Sequence, residues 1–275
     1  MALRTDLAIE SHEHYKGEGV RVSEEMYDGV SVTTVYVETQ EAAERLSKPV
    51  GEYITIRANN ILYDTNEYTA AVNAIAKAVN KLSNGAENVL VAGLGNRDIT
   101  PDSLGPEVVS RVFVTNHIKE SSSYDFADKF GRISAIAPGV LGTTGMETAE
   151  ILRGVTAEKK PDLVIAVDAF AAGDVKNIAS TVQVSDTGLV PGGGVANRRN
   201  AINRETLGVP VIAVGVPTVV DAELPSGGRW EGEPFFVTPK DIDVVIDRLA
   251  KTIANGINLA VHKNLTVEEI ESFVG

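Results

Sequence analysis

At 275 residues, with 43% hydrophobic and 23% charged residues, the chain is long enough for one large α/β domain and ordinary in composition for a globular protein. It contains no cysteine, which excludes disulfides, thiolate metal sites and cysteine nucleophiles and fits a reducing cytoplasm. A formal net charge of −13 repels phosphate backbones and argues against direct nucleic-acid binding, and the sequence carries neither an apolar signal region near its start nor an apolar run of membrane-spanning length.

Residues 1–30 are polar and read as a loosely held N-terminal segment. His12 and His14 lie in it at i, i+2, which lacks the i, i+4 geometry of a helical zinc site, so they read as solvated. A small β region near 30–58 follows, in which "VSVTTVYV" (Val30 to Val37) alternates and "YITIRA" (Tyr53 to Ala58) is its expected partner. The next stretch sets Val72, Ile75, Val79 and Leu82 on one helical face. The apolar run Val89 to Ala92 reads as a buried strand that opens into "GLGNRDITPDSLGP" (Gly93 to Pro106). "DSLGPEVVSRVFVTNHI" then reads as one helix, "RISAIAP" as a strand and "GMETAEILRGVTAEK" as a helix. "PDLVIAVDAF" and "VPVIAVGVP" are continuous apolar strands of the kind buried in parallel sheets, the second ending in Gly215-Val216-Pro217-Thr218. Thr238 is the expected N-cap of a long helix with Pro239 at its first position and Ile242, Val245, Ile246, Leu249 and Ile253 facing inward. Thr266 and Glu269 match a capping box. Strands alternating with helices imply a three-layer α/β/α arrangement around a mainly parallel twisted sheet.

In such sheets catalytic groups gather at the carboxyl ends of strands. Two acids stand there: Asp102, in the loop after Val89 to Ala92, and Asp168, at the end of Leu163 to Val167. Two carboxyl groups sharing a site titrate apart, leaving one acid beside one base, which suits activation of water and protonation of a leaving amine. The same positions also suit a helix cap and a turn-bonding Asp, so placement alone leaves both readings open. A dinucleotide loop is not supported, because Asp98 stands where a third glycine is needed. "PGGGVANRRN" (Pro191 to Asn200), with Arg198 and Arg199, reads as a loop near the cleft rather than a phosphate site. Asp186-Thr187-Gly188 occurs once, outside an all-β setting, and reads as a structured loop rather than a pepsin-like element. His117 and His262 lie in no strand-end motif, and no residue set calls for a cofactor or metal.

Taken together, "GLGNRDITPDSLGP", "APGVLGTTGMETAEI", "VIAVDAFAA", "VSDTGLVPGGGVANRR" and "TLGVPVIAVGVPTVVDA" resemble, in order, the germination proteases of spore-forming bacteria. "RTDLAIE" and "FVTPKDID" extend the resemblance over nearly the whole chain. The resemblance implies an atypical aspartic endopeptidase of the spore core that degrades small acid-soluble spore proteins, with a fold like that of hydrogenase maturation endopeptidases. It implies Asp102 and Asp168 as the essential acids, no cofactor, and a homotetramer. It also implies a zymogen that clips its own pro-segment, residues 1–7, from a single peptidase domain of residues 8–275. Thr5-Asp6-Leu7-Ala8-Ile9-Glu10 matches the family's substrate pattern with Asp6 in place of Glu, and the expected autocleavage bond is Leu7–Ala8. The seven-residue pro-segment is shorter than the family leads one to expect, and Glu223 to Glu233 looks trimmed. Two rival readings are a metal-assisted endopeptidase like the hydrogenase maturation enzymes, and a non-catalytic module that holds spore proteins.

Overall fold

The computed structural model describes residues 5–15, 17–120, 130–193, 199–221, 236–262 and 264–274. Among them, nine strands build one sheet: β1 (Val20–Tyr27), β2 (Val30–Val37), β3 (Gly51–Arg57), β4 (Asn88–Gly93), β5 (Arg132–Ile136), β6 (Leu163–Ala172), β7 (Thr181–Ser185), β8 (Val211–Asp221) and β9 (Phe236–Val237). Their order is β1-β2-β3-β7-β8-β6-β4-β5, with β9 on β8. The half that carries Asp168 and the loop of Asp102 is parallel: β4 pairs β5 and β6, and β6 pairs β8. The other half is antiparallel, from β8 through β7 and β3 to β2 and β1. The expected pairing of Val30–Val37 with the Tyr53 stretch is therefore present, but as part of the main sheet; β1 and β7 are strands beyond those expected.

The helices are α1 (Ala8–His14), α2 (Gln40–Leu46), α3 (Thr65–Leu82), α4 (Leu104–Val109), α5 (Asn116–Glu120), α6 (Leu141–Thr144), α7 (Thr148–Lys159), α8 (Arg204–Leu207), α9 (Ile242–Val261) and α10 (Val267–Val274). Strand side chains alternate between faces, and the core divides accordingly. Leu163, Ile165 and Val167 pack with Ile75 and Val79 of α3 and Leu249 and Ile253 of α9, whereas Val164 and Ala166 pack with Leu152 of α7 and Leu207 of α8. A smaller cluster joins Ala8 of α1 and Ala42, Ala43 and Leu46 of α2 to Val35, Val37 and Tyr53. No helix of the described residues is long and apolar enough to cross a membrane.

Four local expectations are corrected. The helix expected over "DSLGPEVVSRVFVTNHI" stops at Val109 and resumes only as α5. The run Val112 to Thr115 is β-branched and aromatic, a poor helix former, and α9 supplies substitute partners. Asn258 accepts from the Phe113 amide at 2.9 Å and donates to the Arg111 carbonyl at 3.3 Å. Thr238 does not cap α9. Its hydroxyl donates to the Thr218 carbonyl at 2.9 Å, and the helix opens at Ile242 after Asp241. Gly215 to Thr218 does not end β8, which continues to Asp221 and pairs with β9. The N-terminal segment is not loose: Leu7 and Ala8 are buried, α1 follows, and β1 forms the sheet edge. The capping box is present, with Thr266 N donating to Glu269 and Glu269 N to the Thr266 hydroxyl.

Candidate active site

The loop after β4 is shaped by close backbone approach. Gly95 has φ +108, and a Cβ there would collide with the backbone carbonyl of Asp102. At Gly105 a Cβ would collide with the backbone of Leu94. The glycines thus let the loop fold back over the strand end, where Thr100–Asp102 forms a single 3-10 turn with Pro101 inside it. The Asp102 carboxylate is fixed by the Asn96 amide, which donates to Oδ2 at 2.8 Å. Asp102 thus bonds a turn amide rather than capping α4, and it lines the cleft.

Asp168 comes from periodicity. Asp168 does not end its strand as expected: β6 runs on to Ala172, and Asp168 continues the Val164, Ala166 row on the α7 face one residue past the last pair with β4. Leu94 N donates to the Val167 carbonyl at 2.8 Å, which ties the end of β4 to the middle of β6. Asp102, Asp168 and Asp6 line one cleft of about 550 Å³, together with Thr218, Thr238 and Arg199.

Burial raises the Asp102 carboxyl above the usual range, partly offset by the Asn96 amide. Asp168 is only 5% exposed. Burial pushes it well above the ordinary carboxylate value; Asp102 and then Asp6 push it further, and the Ala169 amide, donating to Oδ1 at 3.0 Å, opposes them. Desolvation and like charge disfavour two full negative charges here. The effect weighs most on the more deeply buried member, Asp168.

The N-terminal segment enters this cleft. Asp6 N donates to the Ala171 carbonyl at 2.9 Å, and Ala171 N donates to the Asp6 carboxylate at 2.8 Å. Thr5 turns its hydroxyl to the Leu7 amide at 3.0 Å, and its carbonyl accepts from Lys48 at 2.9 Å. Leu7 is fully buried, and Ala8 N donates to Gln183 at 2.7 Å. Glu10, at 2% exposure, accepts from Gly173 N (2.7 Å), Asp174 N (3.1 Å) and Asn177 Nδ2 (2.5 Å). Five of the six residues of the pattern, Thr5 to Ala8 and Glu10, are thus docked. Lys48 and Gln183 were missed at sequence level, although Gln183 sits as one polar residue within the buried strand "TVQVS".

The remaining candidates lie elsewhere. His262 is buried beside Phe113 and Phe130, with Nε2 3.1 Å from the Phe113 carbonyl. His117 and His14 are exposed, whereas His12 is half-buried with Nδ1 shielded from solvent, so the solvated reading fails for His12. Among the described residues, no group of three or more His, Cys, Asp or Glu is arranged to hold a metal. Asp186 accepts from the Glu52 amide at 2.8 Å, as a structured loop should. Arg199 lies 3.8 Å from Glu147 at the cleft rim; Arg198 and the stretch Glu223 to Glu233 lie outside the described residues.

Comparison with known proteins places this geometry. The germination protease family matches residues 2–225. The chain belongs to the germination protease family. Relatives of that name include proteins of Caldanaerobacter subterraneus subsp. tengcongensis, 40% identical over 100% of this chain and 98% of theirs, and of Clostridium acetobutylicum, 38% identical over 99% of each. A third, from Bacillus cereus, is 42% identical over 96% of this chain and 95% of its own. Among solved structures, a [NiFe] hydrogenase maturation protease HycI from Thermococcus kodakarensis aligns with 65% of this chain and 97% of its own at 20% identity, with a TM-score of 0.39. Family membership makes the chain a protease.

Proposed function

We propose that this germination protease is an aspartic endopeptidase that begins the breakdown of small acid-soluble spore proteins, with Asp102 and Asp168 as its catalytic residues. The observation that carries the reading is the convergence of these two acids, both raised by burial, in one cleft: Asp102 in the loop after β4, and Asp168 within the neighbouring parallel strand β6, one residue past its last pair with β4. Asp102, the more exposed and less strongly shifted, is the base that takes a proton from water. Asp168, kept protonated, polarises the scissile carbonyl and passes its proton on as the tetrahedral intermediate collapses and the amine leaves. No cofactor takes part. The enzyme acts in the spore core as a homotetramer, so size-exclusion chromatography with light scattering should return four chains rather than one.

The docked segment supports a zymogen. Asp6 lines the acid cleft and Thr5 the adjoining cavity, where both compete with an incoming peptide. The resemblance marks Leu7–Ala8 as the bond cut; a second reading, Asp6–Leu7, is favoured by Asp6, which lines the cleft while Leu7 and Ala8 are buried outside it. Mass spectrometry of the mature N-terminus distinguishes Ala8 from Leu7.

The test is incubation with a purified small acid-soluble spore protein before and after exhaustive chelation. Cleavage at an unchanged rate is expected. Activity that vanishes with a stoichiometric metal would favour the metal-assisted reading, and binding without cleavage would favour the non-catalytic one.

A further inference from the structure

The sheet register aligns Asp168 with Gly215 on β8, and Gly215 with Gln183 on β7. Residues in register project to the same face, so Asp168 and Gln183 face the same side, two strand spacings or roughly 10 Å apart. Between them Gly215 has no side chain, and a Cβ there would collide with the ring of Phe170. The Phe170 ring covers Gly215 and stands between the two side chains, where it lines the acid cleft. A second cavity of about 370 Å³ continues from it, lined by Lys48, Tyr53, Gln183 and Thr187 and sharing Asp6 and Phe170 with the acid cleft.

The chain's own residues 5–8 lie along these cavities, bending at Asp6 before α1 begins at Ala8, and their main chain is held by groups of the body of the protein. Gln183 uses both ends of its amide, donating to the Asp6 carbonyl at 3.2 Å and accepting from the Ala8 amide. Those two groups, a carbonyl at one residue and an amide two residues on, are what a neighbouring strand would bond. Lys48 takes the carbonyl before them and the Ala171 backbone pairs with Asp6.

We propose that Lys48, Gln183 and the Ala171 backbone form the subsite that binds the main chain of a protein substrate on the N-terminal side of the cut bond, and that residues 5–6 occupy it until they are clipped away. The proposal rests on the peptidase reading above. Whether the cut falls after Asp6 or after Leu7, release of the segment strips Lys48 of the Thr5 carbonyl, Gln183 of the Asp6 carbonyl and Ala171 of both its bonds. Polar groups left without partners beside the cleft favour an incoming chain that restores the same bonds.

The probe is a synthetic peptide with the sequence of residues 1–14, given to the self-processed enzyme. Lys48→Met and Gln183→Met should each raise KM about 10-fold, the loss expected for one or two hydrogen bonds, and leave kcat within about two-fold. The decisive comparison uses a peptide that begins at Asp6 and so lacks the Thr5 carbonyl. On it, wild type and Lys48→Met should have equal KM, since the group Lys48 binds is gone. A Lys48→Met effect that persists in full on the shortened peptide, or an unchanged KM on the long one, overturns the proposal. So does wild-type enzyme that degrades a small acid-soluble spore protein yet ignores the long peptide. Failure on both substrates removes the peptidase reading, and the subsite with it.

Discussion

The two acids differ in ways that reach beyond turnover. Asp168 is buried and its carboxyl is raised, so above the unfolded Asp value of about 3.9 the native protein holds a proton that the unfolded chain has released. Stability is therefore fully present below that value and falls as pH rises towards the native one. Asp168→Asn removes this loss while keeping an acceptor for the Ala169 amide. The variant should be inactive yet more stable than wild type. Its advantage in thermal midpoint should be near zero at pH 4 and grow with pH, because the group it replaces resists the charge that neutral pH imposes. Calorimetry across that range checks the sign. An advantage that shrinks with pH would mean that Asp168 is not held protonated. Asp102 keeps more solvent and one amide donor, which suits the partner that ionises first.

At the scale of elements, α1 and the residues before it form the part of the molecule that sequence patterning misjudged. A short polar stretch has no apolar periodicity to announce burial. Its anchors are single contacts: Leu7 in a pocket and the Glu10 carboxylate on two strand-end amides and Asn177. Leu7→Asp would desolvate a charge where no partner waits, so the segment should fail to dock and self-processing should stop, as read from the N-terminal mass over time. Glu10→Ala orphans the Gly173 and Asp174 amides and should cost about 1–3 kcal/mol, seen as a lower thermal midpoint and faster amide exchange through α1. Normal self-processing in Leu7→Asp, or unchanged exchange in Glu10→Ala, would contradict a docked segment. The broken helix at Val109 teaches the same lesson from the other side. Its continuation was plausible locally, and the Asn258 side chain that replaces it lies 145 residues away in sequence.

Across the whole molecule, the parallel half was legible because buried strands are continuous apolar runs separated by helices of clear period. The rule that ligands sit at strand carboxyl ends then led to Asp102 and Asp168 without any fold in hand. What remained hidden was register. Asp168, Gly215 and Gln183 meet in one row only because three distant strands pair at particular residues, and single-strand patterns carry no such information. The antiparallel extension was hidden for a related reason: β7 is five residues long, and it joins the β1–β3 region to the parallel half of the sheet. The measurement that bears most directly on the whole is kcat/KM for a purified small acid-soluble spore protein, compared among wild type, Asp102→Asn and Asp168→Asn. Both variants should fall by about 10²- to 10⁴-fold, the usual contribution of a positioned acid or base, while keeping wild-type secondary structure. Near-native rates in both folded variants would contradict the assignment of the acid pair.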